Sequence, residues 1–296
     1  MPETQTALTL QTLLAAHPNT VALRDGRLQS PIVNFNFADV KPANRAFKAV
    51  VREQKFDLAE LAIVTYLQAR ANGKPYILIP AVVVERGQHH TIFYNPERGP
   101  LQPAGLNGRK VGVRAYTQTT GAWVRGFLQE DYGVDFRSID WITFEEPHVA
   151  EFADPPWVRR AQEGKELLKK LLDGEIDAAI FGSENPENTP LKPLIPDAAE
   201  AAARWAEKHG GIPVNHMAVI RESITRDRPD VVREIYRLLK ESAALSAGKQ
   251  STVPRFGVEA VRKSLETIIG YSEQQGLIPR RFAVDELFND VTRALV

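Results

Sequence analysis

Four consecutive polar residues, Thr117, Gln118, Thr119 and Thr120, precede a stretch that reads as a helix. Their hydroxyls and the free amides of a first helical turn can hold a carboxylate. Threonines also stand before helices simply as caps, so the residue types leave both readings open. Arg114 lies just upstream, at the end of a short apolar stretch, where its planar guanidinium suits a carboxylate ligand or an acidic surface neighbour equally. Arg86 and the pair His89-His90 follow an apolar run of the kind that fills a buried strand. Adjacent side chains on an extended segment point opposite ways, so at most one of the two histidines faces a given site. Asn215 and His216 follow Pro213; an imidazole there is suited to proton transfer near neutral pH, or to a structural hydrogen bond with the backbone. Glu60 reads as a general base or as an acidic charge near a helix N-terminus, with Thr65 on the same helix. Ser183 and Glu184 follow another apolar run and are further ligand-contact candidates.

Other chemistries find no support in the residues. His17, His89, His90, His148, His209 and His216 show no HExxH or His-x-His spacing, and two adjacent histidines chelate poorly, so no metal site is expected. Glu145, Glu146 and His148 read as a solvated loop. The chain has no cysteine, which excludes disulfides, thiolate zinc sites and a cysteine nucleophile. It has no GxSxG elbow, Walker loop or dinucleotide fingerprint. Thirty-seven basic residues balance thirty-seven acidic ones, which argues against nucleic acid or an anionic membrane and for a small-molecule partner. The first fourteen residues carry Glu3 as their only charge and do not form a secretory leader, and the apolar run over 76–84 is far shorter than the roughly 18 residues of a membrane span. A cytoplasmic location is expected on that reading, and a periplasmic one if a leader has been removed.

These residues need elements to position them, and 296 residues exceed what one core usually organises. Strands are expected over 8–14 and 32–37, a helix over 43–54, a second helix from Phe56-Asp57 to about residue 71, and a buried strand over 77–84. Breakers crowd the stretch 95–105, and a lobe boundary is placed there. Beyond it come a strand over 110–113, a helix over 122–132, a strand over 139–144, a helix over 165–172, a strand over 177–181 ended by Gly182, and a helix over 198–208. Gly210-Gly211 reads as a joint, after which a strand over 217–220 rejoins the first lobe. Helices over 229–246, 258–269 and 284–296 complete the chain. The reading is an α/β protein with a discontinuous first lobe, 1–100 and 212–296, and a second lobe, 101–211.

Several segments, in order, resemble the 4,5-dihydroxyphthalate decarboxylase-like branch of the type II periplasmic-binding-protein fold. They are Ala22-Leu23-Arg24-Asp25-Gly26-Arg27; Phe56-Asp57-Leu58-Ala59-Glu60-Leu61 with Tyr66-Leu67; the stretches 106–113 and 124–134; and 211–221, which includes Asn215 and His216. The sequence departs from the family pattern at Ala62-Ile63-Val64-Thr65 and at Gly182-Ser183-Glu184-Asn185. The resemblance implies two lobes with a ligand cleft between them, hinged near 95–105 and Gly210-Gly211. It also favours His90 over His89, and it makes His216 the first candidate for proton transfer.

The activity it implies is non-oxidative decarboxylation of a hydroxylated aromatic dicarboxylate. His216 with Glu60 or His90 would move protons, and Arg114 and the Thr119-Thr120 turn would hold carboxylates. No organic cofactor is required. The alternatives are a solute-binding protein of the transporter type or a cytoplasmic sensor, in which the same cleft only captures its ligand, and a biosynthetic enzyme of the same fold resembling thiamine-precursor or menaquinone-pathway proteins. A homo-oligomer is compatible with each.

Overall fold

In the computed structural model, which describes residues 6–162, 166–182, 185–246 and 254–296, the strands in chain order are β1 (Leu8–Leu13), β2 (Val33–Phe37), β3 (Leu58–Ala62), β4 (Tyr76–Glu85), β5 (Ile92–Tyr94), β6 (Lys110–Val113), β7 (Asp140–Thr143), β8 (Val158–Arg160), β9 (Ala178–Ile180), β10 (Lys192–Pro193) and β11 (Val214–Arg221). They form two sheets, ordered β2-β1-β3-β11-β4 and β10-β5-β9-β6-β7-β8. Each sheet belongs to its own unit: the first comprises 1–86, 214–266 and 280–296, the second 87–213 and 267–279. Ser183 and Glu184 lie outside the described residues.

The first unit is built on parallel strands β1, β2 and β3, with β11 running antiparallel between β3 and β4. Helix Pro229–Ala244 covers this sheet through Val231, Val232, Ile235, Leu238 and Leu239, a spacing that places all five on one helical face. They pack with Leu10, Val33, Leu58, Ile77 and Ile79 of the strands. Each such buried side chain contributes about 1.5–3 kcal/mol relative to exposure.

In the second unit β6, β7, β8 and β9 are parallel, with β5 antiparallel to β9. Its core is aromatic: the Trp123 ring meets Trp205 at 5.5 Å and Tyr271 at 5.7 Å, both edge to face. Gly126 permits this packing, since a Cβ there would overlap the Tyr271 ring. Arg125 is fully buried beside them, its Nε donating to Gln275 Oε1 at 2.7 Å and its Nη2 to the Tyr116 carbonyl at 2.7 Å. The guanidinium lies over the Tyr116 ring at 4.0 Å, and burial lowers its pKa to about 10.

The structure corrects several sequence expectations. Residues 58–62 form a central strand, not the start of a helix. All five are buried between β1 and β11, so they show neither polar alternation nor a helical period, and the helix begins only at Ile63. Glu60 is therefore a strand residue. The strand at the chain crossing starts at Val214, which puts Asn215 and His216 inside the sheet. The unit boundary falls at Arg86/Gly87 instead of within 95–105, because β5 already pairs with β9 of the second sheet. His89 and His90 sit in a 3-10 turn, His89–Thr91, so the opposed-side-chain argument for an extended segment does not apply. Residues 284–296 make two short turns, Val284–Leu287 and Asp290–Arg293. Phe288 between them is extended, and the Asn289 side chain accepts from the Thr292 amide to start the second.

Candidate functional site

Pairing in the first sheet brings together residues far apart in sequence. On β3 and β11 Glu60 is registered opposite Ala218, and Ala62 opposite His216. Side chains two apart on a strand share a face, so Glu60 and His216 are diagonal neighbours on one face. His216 Nδ1 lies 3.1 Å from Glu60 Oε1. The pairing of β11 with β4 shifts register on both sides of His216, an irregularity of the kind that re-aims a side chain. The Phe47 ring sets its edge against the imidazole at 5.3 Å.

A third group arrives from β1, whose Leu13 pairs in parallel with Ala59. The chain leaving β1 thus passes Glu60, and the Ala15 amide donates to Glu60 Oε2 at 2.8 Å. Two residues on, His17 Nε2 stands 3.1 Å from Glu60 Oε1 and 3.0 Å from Oε2. Thr20 ties this turn: its hydroxyl donates to the Ala15 carbonyl at 2.6 Å and accepts from the His17 amide at 3.0 Å. The Glu60 side chain is 1% exposed, those of His17 and His216 29% and 18%.

Burial alone pushes the Glu60 carboxyl upward. Hydrogen bonds from both imidazoles, and their charge, more than reverse this and hold it well below the usual carboxylate range. The result is an ionised, buried carboxylate clasped by two half-exposed imidazoles. Such a group can fix imidazole tautomers and stabilise an imidazolium, which is what proton transfer requires.

The cluster lies at the carboxyl edge of β1 and β3, where open α/β sheets present ligand sites. Arg86 follows β4 at that edge, since β4 runs in the same direction as β3. Its Nε is buried without a hydrogen bond among the described residues, and burial lowers the pKa of the guanidinium. His17 also lines a pocket of about 110 Å³ with Asn19, Glu85 and Pro254. Thr65 is buried in helix Ile63–Ala71, and Asn215 is buried on β11.

The remaining sequence candidates lie at the matching edge of the second sheet. Arg114 directly follows β6, and its Nη1 meets Glu145 Oε2 at 2.7 Å, the acidic-neighbour reading of that residue. The helix after it runs Thr119–Tyr132, three residues earlier than the sequence reading, so Thr119 and Thr120 belong to its first turn. Gln118 precedes them with extended backbone and makes no side-chain cap, its Nε2 donating instead to the Phe181 carbonyl at 3.2 Å. Gly182 allows that approach: a Cβ there would come within 2.8 Å of Gln118 Nε2, and φ is +142°. Thr117, Thr119 and Thr120 are buried and His90 is half-buried. His89 is 1% exposed and stacks on Phe127 at 4.0 Å.

Of the sequence candidates the structure brings Glu60 and His216 together, and it adds His17, which the sequence reading passed over. His17 stands 43 residues from Glu60, and only the parallel pairing of β1 with β3 joins them. Its one local signal is its place just beyond a strand in an α/β chain. The same assembly is a group of possible metal ligands that the sequence expectation of no metal site did not consider. That expectation rested on local spacing, whereas these three groups, with ligand atoms all within 4.8 Å of one another, come from three separate segments.

No protein-family profile matches the chain. Among solved structures it is similar to the periplasmic aliphatic sulphonate-binding protein of Escherichia coli, with TM-score 0.59, 12% identity and coverage of 96% of this chain and 92% of that one. It is also similar to a desulfurization enzyme, with TM-score 0.54, 14% identity and coverage of 96% and 97%. At such identities these likenesses establish the fold, that of the two-lobed periplasmic-binding-protein class. Sequence relatives are more specific. The 4,5-dihydroxyphthalate decarboxylase of Pseudomonas putida is 30% identical over 198 residues, 62% of this chain and 75% of that protein. The 4,5-dihydroxyphthalate decarboxylase of Comamonas testosteroni is 30% identical over 244 residues, 77% of this chain and 73% of that protein, and on this similarity the chain belongs to the 4,5-dihydroxyphthalate decarboxylase family.

Proposed function

We propose that the protein decarboxylates, without oxidation, an aromatic dicarboxylate carrying two adjacent hydroxyls, of the 4,5-dihydroxyphthalate type. The observation that carries this reading is the His17–Glu60–His216 cluster in a chain of that family. In 4,5-dihydroxyphthalate each hydroxyl is para to a carboxylate. An imidazole takes the hydroxyl proton, and electron density moves through the ring to the carbon bearing that carboxylate. An imidazolium protonates this carbon, giving a dienone. The bond to the carboxylate then breaks, carbon dioxide leaves, and the electron pair restores the aromatic ring as a phenolate, which regains its proton. The net reaction consumes one proton and releases one carbon dioxide.

Glu60 supports both proton steps, as the buried, ionised carboxylate that orients the two imidazoles. Arg86 supports capture of a carboxylate, as a half-buried guanidinium whose Nε has no partner among the described residues. Arg114 and the amides of Thr119 and Thr120 offer the same chemistry on the second unit, and His90, Thr65, Asn215, Thr117 and Gln118 remain proposed contacts.

The test is carbon dioxide release from 4,5-dihydroxyphthalate and related carboxylates, with binding followed separately by thermal shift. Release that His216→Ala abolishes while binding persists is the expected result. The fold shared with sulphonate-binding proteins favours one other reading, capture without turnover, and stabilisation by ligand with no carbon dioxide released would establish that instead.

A further inference from the structure

We propose that His17, Glu60 and His216 form the binding site of one divalent first-row transition-metal ion, and that this ion chelates the two adjacent hydroxyls of the substrate. Metal binding is argued from geometry alone; the chelation clause rests on the proposed decarboxylase function.

The ligand atoms are His17 Nε2, His216 Nδ1 and a Glu60 carboxylate oxygen, all within 4.8 Å of one another. No other group of three such residues gathers in this way among the described residues. The nitrogen–oxygen separations of 3.0–3.1 Å compare with an edge of about 3.3 Å in a tetrahedral site whose bonds measure about 2.0–2.1 Å. The two imidazole nitrogens lie within 4.8 Å of each other, and side-chain adjustment would bring all three ligand atoms onto one ion. His17 Nε2 is almost equidistant from both carboxylate oxygens, a position that suits a shared hydrogen bond and equally a cation held between the two groups.

The surroundings fit as well. The Glu60 side chain is 1% exposed, and no lysine or arginine contacts it among the described residues, so a buried carboxylate lacks a fixed cation. Its Oε2 is held by the Ala15 amide, the His17 turn is tied by Thr20, and His216 is braced by Phe47, the kind of outer support that orients ligands. Two imidazoles and one carboxylate without thiolate suit zinc or ferrous iron and leave coordination positions open. The partial exposure of both histidines leaves an open side for an incoming ligand. Adjacent phenolic oxygens would fill two such positions: metal–oxygen bonds would form and each coordinated O–H would give its proton to solvent; with the ion bound, both imidazoles serve as ligands, so the ion would replace them in generating the phenolate and solvent would supply the proton that the ring carbon takes up.

The deciding measurement is a titration of chelator-treated protein with Co²⁺ alone, followed by visible absorption. The expected result is saturation at one equivalent with ligand-field bands, and binding more than about 100-fold weaker in His17→Ala and in His216→Ala, beyond the 10–100-fold typical of outer-shell losses. His17 is a half-exposed turn residue, and circular dichroism checks the fold of each variant. If neither variant folds, the wild-type titration still decides, since no saturating one-equivalent spectrum overturns the proposal. Carbon dioxide release is assayed on the same samples. Release from metal-free protein that binds no Co²⁺ overturns the metal site and leaves the decarboxylase reading standing, whereas one-equivalent binding without release supports the site and removes that reading.

Discussion

Glu60 and His216 stand diagonally across the antiparallel pair β3 and β11, with His216 Nδ1 3.1 Å from Glu60 Oε1, because the register sets Ala62 opposite His216 and Ala218 opposite Glu60. A one-residue slip would turn the two side chains to opposite faces. The placing of Glu60 against His216 is therefore fixed by the register of β3 with β11.

Glu60→Gln keeps the shape of the side chain and removes its charge from between two imidazoles. Carbon dioxide release should fall by at least about 100-fold, the scale of lost acid–base assistance. Unfolding free energy at neutral pH should drop by about 1–3 kcal/mol, as for a buried hydrogen-bond network that loses its charged acceptor. The folded carboxyl titrates below its ordinary value of 4.5, so this stability is fully present above that value and is lost as pH falls through the folded pKa. Urea denaturation from pH 7 into the acid range should show a shallower loss in Glu60→Gln than in the wild type.

His17 and His216 share one carboxylate, so their losses should not add. A double-mutant cycle of His17→Ala and His216→Ala, read by denaturation, should give a coupling energy above about 0.5 kcal/mol. Strict additivity would mean that the two imidazoles act on Glu60 independently.

His89 offers a pH effect unconnected with the site. Burial drives its pKa down to about 4, and both ring nitrogens are buried without hydrogen bonds among the described residues. The neutral ring is favoured in the fold, so stability is highest above the ordinary value of 6.5 and falls by about 3 kcal/mol as pH drops through about 4. His89→Phe should keep the stack on Phe127, lose no hydrogen bond, and flatten the denaturation profile between those values.

Gly126→Ala places a methyl where the Tyr271 ring lies. Overpacking there should cost about 1–3 kcal/mol in urea denaturation, despite the better helix propensity of alanine. Unchanged stability would mean that Tyr271 leaves this position at little cost.

The sequence alone determined what depends on local order. Apolar runs over 8–14, 32–37, 77–84 and 110–113 are strands, and the spacing of Val231, Val232, Ile235, Leu238 and Leu239 makes an amphipathic helix, because side-chain periodicity is a property of neighbouring residues. The alternation of these elements gave the α/β class, and ordered motifs gave the family. Glu60 and His216 were legible as candidates for proton transfer, with Glu60 and His90 as alternative partners of His216, and the register of β3 with β11 brought Glu60 to it. Tertiary structure decided that residues 58–62 are a strand, since burial on both faces erases the period that separates strand from helix. It alone recruited His17, because strand pairing between segments 43 residues apart leaves no mark on local spacing. The charge state of Glu60 was likewise decided in three dimensions, where burial and two imidazoles act on one carboxylate together.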